Sequence, residues 1–179
     1  MTVLEADALY DGVAATLGGT PNIEGAVLAG DRLLLLHRGA GGTAHSAVVS
    51  VAAAALGGAP PQASAAVRWD LGEVGGVPLT FTDAAPAVPA APDAFVYLAV
   101  AEDTPNAVDD GPIAGAAVGV VRGTEGRWAP LLEPDGSPSK RKVEGVTLDV
   151  DGRGGWLVTD PDDAAAGADL CRLELGGNW

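Results

Sequence analysis

Cysteine and basic residues are both scarce in this chain of 179 residues. The single cysteine, Cys171, cannot form an internal disulfide, and its apolar neighbours predict a small buried hydrophobic side chain. Lysine and arginine together number 10, against 24 acidic residues, which gives a formal net charge of −14. Because a surface of that sign repels phosphate backbones, the composition argues against nucleic-acid binding.

Long hydrophobic runs are also missing. Glycine, proline or charged residues interrupt each apolar stretch before it reaches membrane-spanning length, so no membrane association is expected. Residues 1–10 carry acids and no basic segment, which is not the pattern of a secretory signal peptide. These absences predict a cytoplasmic protein that its acidic surface keeps soluble.

Recognisable catalytic motifs are absent from the sequence. His37 and His45 are the only histidines; neither lies in a Gly-x-Ser-x-Gly setting, and no Cys/His cluster has zinc spacing. The glycine-rich segment 39–42 lacks the Lys-Ser/Thr pair of a phosphate-binding loop. Motifs therefore assign no reaction to this chain, and whether it is an enzyme stays open.

Glycine and proline, in contrast, are plentiful, with 26 and 13 residues spread along the chain. This usage favours many short strands joined by tight turns. Hydrophobic residues make up 47% of the chain, which excludes a disordered protein. The length is sufficient for one domain with a substantial core.

One stretch occurs twice and organises the rest. An apolar residue, a glutamate and a glycine begin a strand at Glu24 and again at Glu144, 120 positions apart. Each strand is followed by a Gly/Asp turn and a second apolar strand. We interpret this stretch as the inner hairpin of a repeated β-sheet unit, with strands at 23–28 and 32–37 in the first copy and at 143–148 and 156–159 in the second.

Further apolar segments complete three units, at about 22–70, 77–133 and 142–179. The first unit is expected to continue with strands at 45–51, extended through the alanine-rich residues 52–56, and at 63–70. The second has expected strands at 77–82, 95–101, 113–121 and 127–132. The third ends after a strand at 169–175. Residues 4–17 fit either a short helix or a strand.

Repetition of four-stranded antiparallel sheets is the sequence sign of a β-propeller. The chain is therefore predicted to be a single all-β domain, a partial β-propeller of about two and a half to three blades. A β-sandwich is an alternative that does not require the paired Glu-Gly hairpins. A βαβ fold is the other alternative, but the sequence lacks the helices that such a fold requires.

Several segments, taken in order, resemble a largely uncharacterised bacterial β-propeller family related to phytase-like and esterase-like six-bladed propellers. They are residues 22–25, 97–103, 110–113, 142–145 and 159–163, and the resemblance covers the chain from about residue 20 to its end. A six-bladed ring needs roughly twice this length, so the chain resembles the C-terminal half of such a propeller. It is then either truncated or completed by a second copy, and exposed blade edges favour a homodimer.

Polar residues concentrate where the hairpins begin and end. Because the start of one antiparallel strand lies beside the end of the next, Glu24 is expected beside Arg38, and Glu144 beside Asp160. In a propeller these ends share one face around the central channel. That face is predicted to carry the residues Glu24, Arg38, Glu102, Asp103, Glu144, Asp160, Asp162 and Asp163.

Clustered carboxylates suit Ca²⁺, a cation that takes about six to eight oxygen ligands, and the phytase-like resemblance implies calcium as well. The candidate metal ligands are Glu24, Asp103, Glu144, Asp160 and Asp162. The candidate ligand-binding residues are Glu24, Arg38, Lys142 and Glu144. Alternatively these acids have a structural role, as acceptors for turn and neighbouring backbone amides. Lys142, in the basic run 140–142, is then part of an anion site or of a solvated linker.

Three functions remain open at this stage. The first is non-catalytic binding of a small molecule or metal ion at the acidic channel mouth. The second, which the resemblance suggests, is a calcium-dependent hydrolase of phosphate or carboxyl esters. The third is a truncated half-propeller with no independent activity.

Overall fold

The computed structural model describes residues 6–39, 45–57, 61–104, 111–163 and 165–177. Within these residues one α-helix precedes twelve β-strands, and each pair of neighbouring strands is antiparallel. The prediction of an all-β antiparallel fold is confirmed. None of the described helices is long and apolar enough to cross a membrane.

The strands form three sheets in chain order. The first sheet contains β1 (Ile23–Ala29), β2 (Arg32–His37), β3 (Ser46–Ala52) and β4 (Val67–Trp69). The second contains β5 (Glu73–Val74), β6 (Val77–Pro86), β7 (Ala94–Glu102), β8 (Ile113–Arg122) and β9 (Glu125–Pro130). The third contains β10 (Val143–Leu148), β11 (Gly154–Thr159) and β12 (Leu170–Glu174).

The helix α1 (Asp7–Leu17) resolves the ambiguity of residues 4–17 in favour of a helix. Leu9, Val13 and Leu17 are four residues apart, so they share one face, and that face packs on the first sheet. The helix ends at Gly18, whose left-handed φ of 73° lets its N–H bond back to the Ala14 carbonyl.

Two expectations for the first unit were wrong. Residues 53–57 form a short 3₁₀ turn instead of extending β3. This agrees with the helical propensity of alanine and not with the strand that we predicted there. The strand expected at 63–70 is reduced to β4, with a single bridge between Ala63 and Val51. The short strand β5 in the second sheet was not expected at all.

The core is layered between the sheets, and β7 is its centre because all nine residues of this strand are buried. Its alternate side chains serve two cores. Phe95 and Tyr97 pack in the cluster shared with the first sheet, while Val96 and Leu98 pack in the cluster shared with the third. The continuous apolar run of the sequence thus reflects a strand buried on both faces. Cys171 is partly buried against the second of these clusters.

The first strands of the three hairpins are neighbours in space, since β6 contacts both β1 and β10. Polar bonds join β6 to β10: the Thr82 hydroxyl donates to the Val143 carbonyl over 2.6 Å, and the Val146 N–H donates to Asp83 Oδ2 over 2.7 Å. Between β1 and β6 the backbones approach closely at Gly25, which has no side chain there.

Candidate functional site

Each of these three strands carries a β-bulge. The pairing register skips Glu24 in β1, Thr82 in β6 and Glu144 in β10, so the bulged residues lie 58 and 62 positions apart. A bulge bends the strand and re-aims the extra side chain. The repeated Glu-Gly signature of the sequence is therefore a repeated bulge.

The hairpin ends meet as the sequence predicts. The Arg38 N–H donates to the Asn22 carbonyl beside Glu24, and the Asp160 N–H donates to the Lys142 carbonyl beside Glu144. The backbone thus places the two bulged glutamates at corresponding ends of the first and third sheets. The side chains around them, however, have different partners.

Lys142 is the centre of one group of charges. Its side chain is only 9% exposed, and Nζ lies 2.6 Å from both carboxylate oxygens of Asp162 and 3.7 Å from Glu144 Oε1. We define the mouth cluster as these three residues together with Asp160 and Glu24, which interact electrostatically with Glu144: Glu24, Lys142, Glu144, Asp160 and Asp162.

The pKa of Glu144 reflects the charges of the mouth cluster. This pKa is raised above the ordinary value, first because burial disfavours the charged form and then because Asp160, Asp162 and Glu24 repel it. Lys142 opposes these effects but does not cancel them. The mouth cluster thus combines four carboxylates with one ammonium, so acids outnumber the base among these residues.

Arg38 and Glu102 form a separate ion pair that joins the ends of β2 and β7. The pair is buried, with side-chain exposures of 13% for Arg38 and 3% for Glu102. Glu102 Oε1 also accepts a hydrogen bond of 2.9 Å from the Gly111 N–H. Arg38 therefore links the first and second sheets through Glu102 and is not part of the mouth cluster.

The acidic loops beside the site are partly structural. Asp160 accepts a hydrogen bond from the Asp162 N–H, and Asp163 accepts one from the Ala165 N–H, as in Asx turns. Asp103 is exposed, and its N–H donates to the Pro112 carbonyl. The sequence continues after Asp103 with two further acids, Asp109 and Asp110, which lie outside the described residues.

The described residues do not fit a preformed calcium site. Among them, no three His, Cys, Asp or Glu side chains are placed to hold a metal ion together. In the mouth cluster the Lys142 ammonium already takes both oxygens of Asp162. A divalent cation that bound there would have to displace it.

Thr82 and Asp83 were missed as site residues because their strand lacks the Glu-Gly signature. They occupy the bulge of the middle strand, and their side chains bind the backbone of β10. Burial raises the pKa of Asp83, while hydrogen bonds from the Val146 and Ala84 amides lower it. The available signal was a polar pair inside the apolar stretch 77–86.

Comparison with known proteins places the chain in a family without assigning it a reaction. No curated protein and no solved structure matches it. The profile of DUF6910, a family of unknown function, matches residues 1–164. Since the match spans most of the chain, the chain belongs to the DUF6910 family.

Proposed function

We propose that the three sheets are blades of a partial β-propeller and that the mouth cluster binds a ligand bearing ammonium or guanidinium groups. Three observations support the propeller: bulges recur at about 60 residues, β6 lies against β1 and β10, and the middle sheet is packed on both faces. This is how the inner strands of consecutive blades are arranged around a channel.

The excess of carboxylates around Lys142 carries the binding proposal. Burial raises the pKa of Glu144, and repulsion from Asp160, Asp162 and Glu24 raises it further against the opposing effect of Lys142, so an additional positive charge at this place favours the ionised form of Glu144. The Asp162 carboxylate already accepts N–H donors from Lys142 at 2.6 Å. Alkylammonium and guanidinium groups provide both the charge and the donors.

Isothermal titration calorimetry with spermidine, at low ionic strength, tests the proposal. We expect saturable binding that Glu144→Gln weakens about 10-fold, since about 1.4 kcal/mol is lost with one charge partner. The matched control is Glu125→Gln, an exposed acid of β9 whose change should leave the affinity as it is. Absence of binding, or equal affinity in the two variants, would refute the mouth site.

Calcium, which the resemblance implies, is the competing ligand and is titrated in the same series. Calcium binding that Glu24→Gln or Glu144→Gln abolishes, without any spermidine binding, would replace our proposal with a metal site. The ester-hydrolase function stays a prediction from the resemblance. It is tested by turnover of a generic phosphate or acetate ester before and after Glu144→Gln.

Self-association through sheet edges also stays a prediction. The third sheet ends at β12 within the described residues, and an edge strand offers unpaired N–H and C=O groups to another chain. Light scattering is expected to show a dimer. A monomer at every concentration tested would contradict this and would leave the truncated half-propeller as the simpler interpretation.

A further inference from the structure

A groove of about 610 Å³ opens where α1 ends on the first sheet. We call it the helix-end groove. Its walls come from the last residues of α1, the ends of β2 and β3, and segment 63–66, with Arg68 of β4. Both histidines of the chain, His37 and His45, line it together with Arg68.

The charge of this groove is opposite to that of the protein. The chain has 24 acidic residues against 10 lysines and arginines, yet none of the described lining residues is an aspartate or a glutamate. Most of the acidic protein surface therefore repels anions, while this groove presents an arginine and two imidazoles. The charge of the described lining residues and the net charge of the protein differ in sign, which favours an anionic ligand in this groove.

The sheet register explains why these side chains converge. His37 of β2 pairs with Ala47 of β3, and Ala47 pairs with Arg68 of β4, so the three share one row and one face. Leu33 and Leu35 point to the same face as His37 and pack under α1. The helix ends before it covers the row, and the methyl group of Ala47 leaves a depression about 10 Å wide between two polar side chains.

The polar groups of the row are prepared to donate hydrogen bonds. His37 Nδ1 accepts a hydrogen bond of 3.0 Å from the Asn22 N–H, so the neutral ring carries its proton on Nε2. Burial lowers the pKa of His37, which keeps the ring neutral and the Nε2–H donor in place at pH 7. Arg68 takes part in none of the described ion pairs or hydrogen bonds, so its guanidinium fork is available.

We propose that the helix-end groove binds a small oxyanion, the phosphate or carboxylate group of a metabolite, through Arg68, His37 and His45. Arginine matches the two oxygens of such a group, and the imidazoles supply additional donors. The groove has the volume of ordinary small-molecule sites, about 300–1,000 Å³, so it accommodates a ligand larger than the oxyanion itself. The proposal is independent of the mouth cluster, because the two sites share no residue.

Proton NMR of the two histidine Cε1–H signals tests the proposal directly, since the chain contains only two histidines. The signals are assigned with His37→Gln and His45→Gln. Inorganic phosphate and citrate are then titrated separately at pH 7, with chloride holding the ionic strength constant. We expect saturable shifts of both signals, and the tighter probe distinguishes a phosphate ligand from a carboxylate ligand.

Variants separate a built site from general charge attraction. Arg68→Ala should weaken the binding at least 10-fold, and Arg68→Lys, which keeps the charge without the fork, should weaken it less. Arg153→Ala, an exposed arginine of the loop before β11, is the matched control and should bind like the wild type. Shifts that do not saturate, or that saturate equally in Arg68→Ala, overturn the proposal.

Discussion

The first and third sheets begin with the same bulged hairpin, but their outer faces have different surroundings. On the first sheet, Leu35 and Val49 lie beneath α1, and Val13 of the helix is 1% exposed. On the third sheet, Val158 and Leu170 form a cross-strand pair that is 45% and 67% exposed. A shared hairpin motif thus does not determine whether the sheet behind it is covered.

The two faces are accordingly stabilised by different interactions. The face beneath α1 is stabilised by burial of apolar side chains, which is the dominant favourable contribution to the free energy of folding. The exposed face of the third sheet carries surface contacts: the Arg172 guanidinium lies 5.4 Å from the centroid of the Trp156 ring and pairs with Asp149. Such exposed contacts contribute little. The same substitution, made once between α1 and the first sheet and once on the exposed face of the third sheet, measures this difference.

The largest effect is expected from a charge placed beneath α1. Val13→Asp buries a carboxylate without a partner, so the free energy of unfolding should fall by about 3–5 kcal/mol. Val158→Asp places the same group on the exposed face of β11 and should cost less than about 1 kcal/mol. Urea denaturation followed by circular dichroism measures both.

Val13→Ala is the control for this comparison, because it removes packing without adding charge. It should cost about 2 kcal/mol, between the other two variants. If Val158→Asp were as damaging as Val13→Asp, the outer face of the third sheet would be buried in solution, against our description of it.

A second comparison concerns a buried and an exposed ion pair. Arg38→Ala leaves the carboxylate of Glu102 buried without its charged partner and should lower the free energy of unfolding by about 3 kcal/mol. Arg172→Ala breaks the exposed pair with Asp149 and should have a much smaller effect. Equal losses in denaturant unfolding would show that the pair joining β2 and β7 is solvated.

Restoring neutrality checks the cause of the larger loss. Glu102→Gln combined with Arg38→Ala removes the unpaired charge while an acceptor remains for the Gly111 N–H. The double variant should therefore be more stable than Arg38→Ala alone. An additive loss would contradict the assignment to a buried uncompensated carboxylate.

The hairpins could be predicted from the sequence because local chemistry specifies them. The glycine of the turn at Gly30 has a φ of 64°, a conformation that other residues rarely adopt, and apolar strands flank it on both sides. The run at Phe95 likewise predicts a buried strand, which the structure confirms, since all nine residues of β7 are buried. Strand pairing within each unit follows from chain order.

The arrangement of site side chains could not be predicted in the same way. Hairpin geometry places Arg38 next to Glu24, but a long side chain at a strand end can turn to either side, and it pairs with Glu102. The middle bulge was missed because Thr82 replaces the glutamate. The helical period of residues 7–17 did not exclude a strand until packing on the first sheet was known.

A third comparison uses the glycines that follow the two bulged glutamates. In Gly25→Ala the new methyl group would lie 3.1 Å from the backbone N of Ala84, which cannot move without disturbing β6. A loss of about 1–3 kcal/mol is expected. In Gly145→Ala the methyl group meets the side chain of Val158, which is partly exposed and has room to rotate, so the loss should be smaller.

Thermal unfolding of the two glycine variants ranks them, with Gly12→Ala as a variant without a steric clash, because a methyl group there contacts nothing and alanine favours the helix. Gly25→Ala should have the lowest melting temperature of the three. If Gly145→Ala melted lower, the third sheet would be packed more tightly at its bulge than the first.

The smallest effect concerns the pH dependence of stability in the third sheet. Because the folded pKa of Glu144 is raised above its ordinary value of 4.5, the folded state binds this proton more tightly than the unfolded state. The contribution of Glu144 to stability therefore falls as pH rises from about 4.5 through the raised folded pKa, and is constant above it. Glu144→Gln removes this fall, so wild type should lose stability relative to the variant across that window.

Asp149→Asn provides the comparison of opposite sign. The hydrogen bond from Arg172 lowers the pKa of Asp149 below its ordinary value of 3.8, so its contribution is present above that value and is lost as pH falls through the lowered pKa. Urea unfolding at a series of pH values should therefore give difference curves of opposite slope for the two variants. A rising curve for Glu144 would mean that Lys142 outweighs burial and the neighbouring acids, so Glu144 would already be stabilised in its charged form and would gain little from a cationic ligand.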